Sequence, residues 1–302
     1  MLNTRFGVEI EFTGITRREA ARIVGMTIDG QVEHIGDGYD TYAIGTQDGR
    51  TWKIMRDASI RCQKKVDGHI EEDGYRGYRS CELVTPILTY REDIETLQTI
   101  IRNLRKAGAF TNSSCGIHIH LDGKGHDARS IRNFMNIIHA REDLFHRALG
   151  INLARERYCK KLEGKLMEKV NAVKPKDMAK LEDLWYDGYW GPRTTHYHDS
   201  RYHFLNLHSF FHGHHTVEIR GFNSTMHAGE IRSYIVFALA LNHQALTQTS
   251  ASTKKPQVEN EKFAMRTYLN RIGLVGQEFA ACREHLTKNL TGSSAWRHGR
   301  VA

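Results

Sequence analysis

The 302-residue chain has no apolar run near the roughly 18 residues that span a bilayer. Its N-terminus lacks the basic-then-apolar pattern of a secretory leader. A cytoplasmic protein with no membrane partner is therefore expected. The five cysteines, Cys62, Cys81, Cys115, Cys159 and Cys282, are scattered and form no C-x-x-C pair. That excludes a disulfide framework or a zinc knuckle as the organising element, so free thiols are expected. H-E-x-x-H is missing, and "GTQDGR" does not have P-loop spacing. Internal repeats and low-complexity tracts are also absent.

The composition, 40% hydrophobic and 26% charged, is that of an ordinary globular protein large enough to bury a core. A net charge of +8 favours an anionic partner: nucleic acid, a nucleotide phosphate or an acidic substrate. The basic residues are spread among acidic ones along predicted helices, with no RNP, zinc-finger or helix-turn-helix signature beside them. Nucleic acid is accordingly the lesser reading.

Along the chain, "FGVEIEF" reads as a strand. "TRREAARIVG" reads as a helix capped by Thr16 and Glu19 and closed by Gly25. A hairpin is predicted around "TQDGR", then an acidic loop, then the short strand "SCELVTP". Helices are expected over residues 90–107 and 128–149, with the strand-like "CGIHIHLD" between them. Residues 151–200 read as an insertion, helical at first and then aromatic, with residues 185–202 as a lid. "HFLNLHSF" and "HTVEIRGF" are predicted strands, and a helix is expected over 228–247. The organisation expected is a catalytic domain over residues 1–250 and a helical extension over 251–302.

The chemistry lies in three alternating segments. A side-chain period of two puts Glu9 and Glu11 on one face of "VEIEF", His118 and His120 on one face of "IHIHL", and Glu218 and Arg220 on one face of "VEIRG". The residues between them are isoleucines. Such a sheet would pack a greasy face on helices and gather carboxylates, imidazoles and a guanidinium on the other. Carboxylates held together repel unless a cation neutralises them. Mg²⁺ or Mn²⁺ suits oxygen-rich donors, and the planar fork of Arg220 suits phosphate.

The ordered motifs "FGVEIEF", "WKIMRDASI", "CELVTP", "CGIHIHLD", "RYHFLNLHSF" and "HTVEIRGFNSTMH" resemble those of the amidoligase family, distant relatives of glutamine synthetase and glutamate-cysteine ligase. The resemblance runs from about Arg5 to Ala240. It implies an α+β fold, a curved and mainly antiparallel sheet with helices on one face, and ATP-dependent joining of a carboxylate to an amine. It further implies Glu9, Glu11, Glu82, His118 and Glu218 as metal ligands, and His118, His120, Arg220 and Lys53 beside the nucleotide. Asp57, Arg201, Asn206 and Arg220 would act on the substrate or the acyl phosphate, with Asp57 taking the amine's proton. The substrates implied are small-molecule or peptide carboxylates and amines. Two alternatives stay open: a metal-dependent (zinc) hydrolase, suggested by seven histidines between His196 and His215, and a non-catalytic binding module. Most of those histidines are expected at the surface.

Overall fold

The computed structural model describes residues 1–74 and 77–297. In chain order the elements are β1 (Phe6–Phe12), α1 (Arg17–Ile28), β2 (Gln31–His34), β3 (Tyr42–Gly45), β4 (Thr51–Met55), β5 (Gln63–Val66), β6 (His69–Glu72), β7 (Cys81–Val84) and α2 (Tyr90–Lys106). There follow β8 (Gly116–Asp122), α3 (Ala128–Leu149), α4 (Gly164–Val173), α5 (Met178–Trp185), β9 (Leu205–Asn206), α6 (His208–Phe211), β10 (Thr216–Asn223), α7 (Ala228–Thr247), α8 (Glu261–Arg271) and α9 (Ala280–His285). The fold is α+β. Eight strands form one sheet in the order β2-β3-β4-β7-β1-β8-β10-β9, and β5 and β6 form a separate hairpin. Pairings from β2 through β3, β4 and β7 to β1, and of β9 with β10, are antiparallel. The chain divides into two compact units, one of residues 2–119 with 222–232, the other chiefly of residues 120–221 with 233–302.

In the first unit the predicted amphipathicity is realised. Ile10, Ile54 and Leu83 lie side by side across β1, β7 and β4 and are fully buried. Helix α1 begins with the expected capping box, Thr16 and Glu19 satisfying each other's backbone N–H groups. It does not stop at Gly25 but continues to Ile28, where Asp29 takes the left-handed conformation. Gly25 instead lets the helix settle on the sheet: a Cβ there would lie 2.7 Å from Val32 Cγ2 and 3.1 Å from Gly30 O. Helix α2 buries Ile94, Leu97, Ile101 and Leu104 as its spacing predicts.

The acidic loop expected before β7 contains the β5–β6 hairpin. Its turn is Asp67-Gly68, both at positive φ (48° and 83°), which suits a tight hairpin. The four residues of β6 are exposed, so no apolar alternation announced it.

In the second unit α3 begins at a capping box of Asp127 and Ser130 and ends at left-handed Gly150. Its Asn133 and Asn136 side chains donate to the carbonyls of Gln248 and Ala251, tying the segment after α7 onto α3. Of the predicted strand "HFLNLHSF" only Leu205–Asn206 pairs with β10, and residues 208–211 turn into the short helix α6. The close pairing needs Gly221, where a Cβ would sit 2.0 Å from the Phe204 ring. Trp185 and Tyr186 are core residues, whereas Trp190 is 95% exposed. The aromatic segment expected as a lid is thus anchored at its start and bare at its middle.

Candidate active site

Two strand registers assemble the acidic cluster of the first unit. Glu9 pairs with Val84 and Glu11 with Glu82 across β1 and β7, while Lys53 and Met55 of β4 pair with the same two β7 residues. Because side chains alternate, Lys53, Glu82, Glu9 and Glu11 share one face, opposite Ile10, Ile54 and Leu83. Strand β8 adds His118, whose Nδ1 lies 2.9 Å from Glu9 Oε2 and whose Nε2 lies 3.9 Å from Glu11 Oε1. The Gly116 N–H donates to Glu11 Oε2 at 2.6 Å, fixing that carboxylate.

Ligand atoms of Glu9, Glu82 and His118 fall within 4.8 Å of one another, and so do those of Glu11, Asp57 and Glu82. Glu82 belongs to both groups. Glu11, Glu82 and His118 are buried, at 4%, 8% and 6% exposure, while Glu9 and Asp57 are half-buried. Each group brings two or three carboxylates together, and like charges at such distances repel unless a cation lies between them. Oxygen-rich donors with one imidazole are a donor set that fits Mg²⁺ or Mn²⁺.

Asp57 lies in the loop after β4, and residues that the sequence did not single out hold it there. Its N–H donates to Ser80 Oγ at 3.1 Å, and the Ser80 hydroxyl donates back to the Asp57 carbonyl. Arg17, 3% exposed at the first turn of α1, donates to the carbonyls of Gly77 (2.6 Å) and Ser80 (2.8 Å) and pairs with Asp40. Burial opposes ionisation of Asp40, but hydrogen bonds from Arg17 and His34 hold its carboxyl below the usual range. A lone arginine at the start of a helix reads as solvated, so no signal in the sequence marks this clamp.

Cys81 shares β7 with Glu82 but is fully buried, and desolvation pushes its thiol well above the ordinary range. It packs and does not serve as a nucleophile.

The second unit holds the other predicted residues. Glu218 is buried, accepting from Asn206 Nδ2 at 2.6 Å through Oε2 and pairing with Arg220 through Oε1. His120 Nδ1 meets Thr216 Oγ1 at 3.1 Å, and Thr216 Oγ1 meets Ser209 Oγ at 2.8 Å. Arg201 is half-buried in a short 3-10 turn, its guanidinium 5.1 Å from the Tyr197 ring centre and 5.9 Å from that of Tyr202.

Three of the seven clustered histidines are not at the surface. His198, His203 and His208 are 4%, 2% and 5% exposed. His198 stacks on His208 with ring centres 5.4 Å apart, and His208 Nδ1 meets the Tyr186 hydroxyl at 2.6 Å. Burial, then the neighbouring His198, Arg201 and His212, lowers the His208 pKa to about 4. Among the described residues, this segment supplies no group of three side chains whose ligand atoms could hold an ion.

A family model described as "Putative amidoligase enzyme" matches residues 2–242. No curated protein matches the chain significantly.

Proposed function

The chain belongs to the amidoligase family, and from that premise we propose that this ligase-type enzyme joins a carboxylate to an amine at the expense of ATP. The observation that carries the reading is the convergence of Glu9, Glu11, Glu82, Asp57 and His118 on one polar sheet face. Neither the hydrolase nor the binding module has comparable support. When bound, ATP supplies the phosphoryl group that makes a carboxylate reactive as an acyl phosphate, and Mg²⁺ or Mn²⁺ supplies charge against its phosphates.

Glu9, Glu82 and His118 would hold one cation, and Glu11 and Asp57 share Glu82 in a second set of ligands. Lys53, on the same face, would donate to phosphate oxygens. Where Asp57 is not a ligand, its carboxylate would take the proton lost by the attacking amine, and the Ser80–Arg17 clamp would keep it in reach. In the second unit Glu218 and Asn206 hold a buried polar set with Arg220, whose planar fork would suit phosphate oxygens. Water must be excluded because an acyl phosphate hydrolyses.

The test is a screen of carboxylate and amine pairs for ADP release dependent on Mg²⁺ or Mn²⁺, with product masses. A productive pair gives ADP, phosphate and an amide, and Glu11→Ala or Glu82→Ala abolishes all three while folding is retained. Zinc-dependent hydrolysis without nucleotide would overturn the proposal, as would failure of every pair together with absent nucleotide protection against heat.

A further inference from the structure

Beyond the matched residues 2–242 the chain continues into α8 and α9. A cavity of about 500 Å³ there is lined by Lys262, Arg266, Arg283, Glu284, Thr287 and Lys288, with Ala280 and Ser294 completing the wall. Lys262 and Arg266 are one helical turn apart on α8 and share a face. Arg283 and Glu284 lie on α9, with Thr287 and Lys288 in the turn that follows it.

The cavity therefore brings together four cations and a single carboxylate, a formal surplus of three positive charges. Lys262 and Arg283 are half-buried there, while Arg266, Glu284 and Lys288 reach solvent at its rim. Bringing the cations to one concavity raises their repulsion and focuses a positive potential into a space of small-ligand size. Arg283 is held in place, donating to the carbonyls of Leu274 (2.8 Å) and Gly276 (3.0 Å). Among the described residues Arg266 donates to the Ser294 hydroxyl, at 3.3 Å, through one of its guanidinium N–H groups.

We propose that this cavity is a binding site for a small phosphorylated anion, of the class of a diphosphate ester. Phosphate fits better than a carboxylate because the Arg266 guanidinium and the Lys262 ammonium, on one face of α8, match its several oxygens, and the formal charge surplus of the lining matches a diphosphate. The described lining has no aromatic side chain, so this half-open cavity suits a small anion better than a nucleic-acid strand, which needs an extended groove with stacking surfaces. The inference is independent of the ligase reading, since none of these residues belongs to the acidic cluster.

The experiment titrates the full chain with inorganic pyrophosphate by calorimetry at low salt, with EDTA present so that no cation can recruit the ligand to Glu9, Glu11 and Glu82. Saturable binding is expected. It should weaken about tenfold or more in Lys262→Gln/Arg266→Gln, as expected for lost charge-assisted hydrogen bonds, and strengthen in Glu284→Gln. It should be unchanged in Glu82→Gln. Both α8 positions lie outside the core, and a matching unfolding temperature for the double variant checks its fold. No binding, binding indifferent to the α8 double variant, or preference for a single-stranded oligonucleotide over pyrophosphate would each overturn the proposal.

Discussion

The two units handle buried charge in opposite ways. In the first, like charges converge: Glu11 and Glu82 face each other across paired strands, with Glu9 and Asp57 beside them. In the second, unlike charges pair: Glu218 is matched by Arg220 and by the Asn206 amide. A self-matched pair is built to persist, whereas a gathering of carboxylates is most stable when something positive arrives. Position within a strand does not separate the cases, since "VEIEF" and "VEIRG" have the same alternation. At the fourth of the five positions one segment carries Glu11 and the other Arg220, so the same alternation adds a second carboxylate in one case and an ion-pair partner in the other.

This contrast is sharpest under mutation. Glu218→Ala leaves a buried guanidinium without its carboxylate and should cost about 3–5 kcal/mol. The double change Glu218→Gln/Arg220→Met should recover much of that loss. Urea unfolding measures both, and a loss below about 1 kcal/mol for the single variant would remove the distinction between the units.

Arg17→Met comes next. It takes the guanidinium from Asp40, which keeps His34, and from the Gly77 and Ser80 carbonyls, with an expected loss of about 1–3 kcal/mol, and it loosens the loop that carries Asp57. Mn²⁺ titration followed by electron paramagnetic resonance should show weaker binding, whereas a purely structural role for Arg17 leaves Mn²⁺ affinity unchanged in the folded fraction.

Glu82→Gln should act in the reverse sense on stability. Removing one of four crowded carboxylates should leave the metal-free protein as stable as before, or more stable by about 0.5–2 kcal/mol, while Mn²⁺ binding is lost. Destabilisation above 2 kcal/mol would show that the cluster is internally matched after all.

The last effect appears only on acidification. His208 has its pKa depressed from 6.5 to about 4, so the unfolded chain binds its proton more readily than the native one. Its contribution is complete above pH 6.5 and is lost as pH falls towards 4. The unfolding temperature should drop across that window, and less so in His208→Gln. An identical profile for the two proteins counts against burial as the cause.

Much of this was legible in the chain. Thr16 with Glu19 and the helix over 128–149 closed by Gly150 follow from local capping and helix-stop signals, and the helix over 228–247 from its apolar run. The shared face of Glu9 and Glu11 follows from the strand period alone. Elsewhere local signals misled. Gly25 reads as a stop because glycine usually ends helices, yet here it gives clearance for Val32. The β5–β6 hairpin carries no apolar stripe, and only its Asp67-Gly68 turn hinted at it. Histidines 198, 203 and 208 look like surface residues until packing against Tyr186, Tyr189 and Trp185 buries them.

The sequence by itself determined which side chains point together within each strand, and its ordered motifs determined the family. Only the tertiary structure decided which strands became neighbours, and so that Glu82 stands opposite Glu11, that Asp57 is held by Ser80 and Arg17, and that two basic helices line one cavity. The physical reason is range. Alternation and capping are fixed by covalent geometry over a few residues, whereas register and burial depend on contacts between segments tens to hundreds of positions apart.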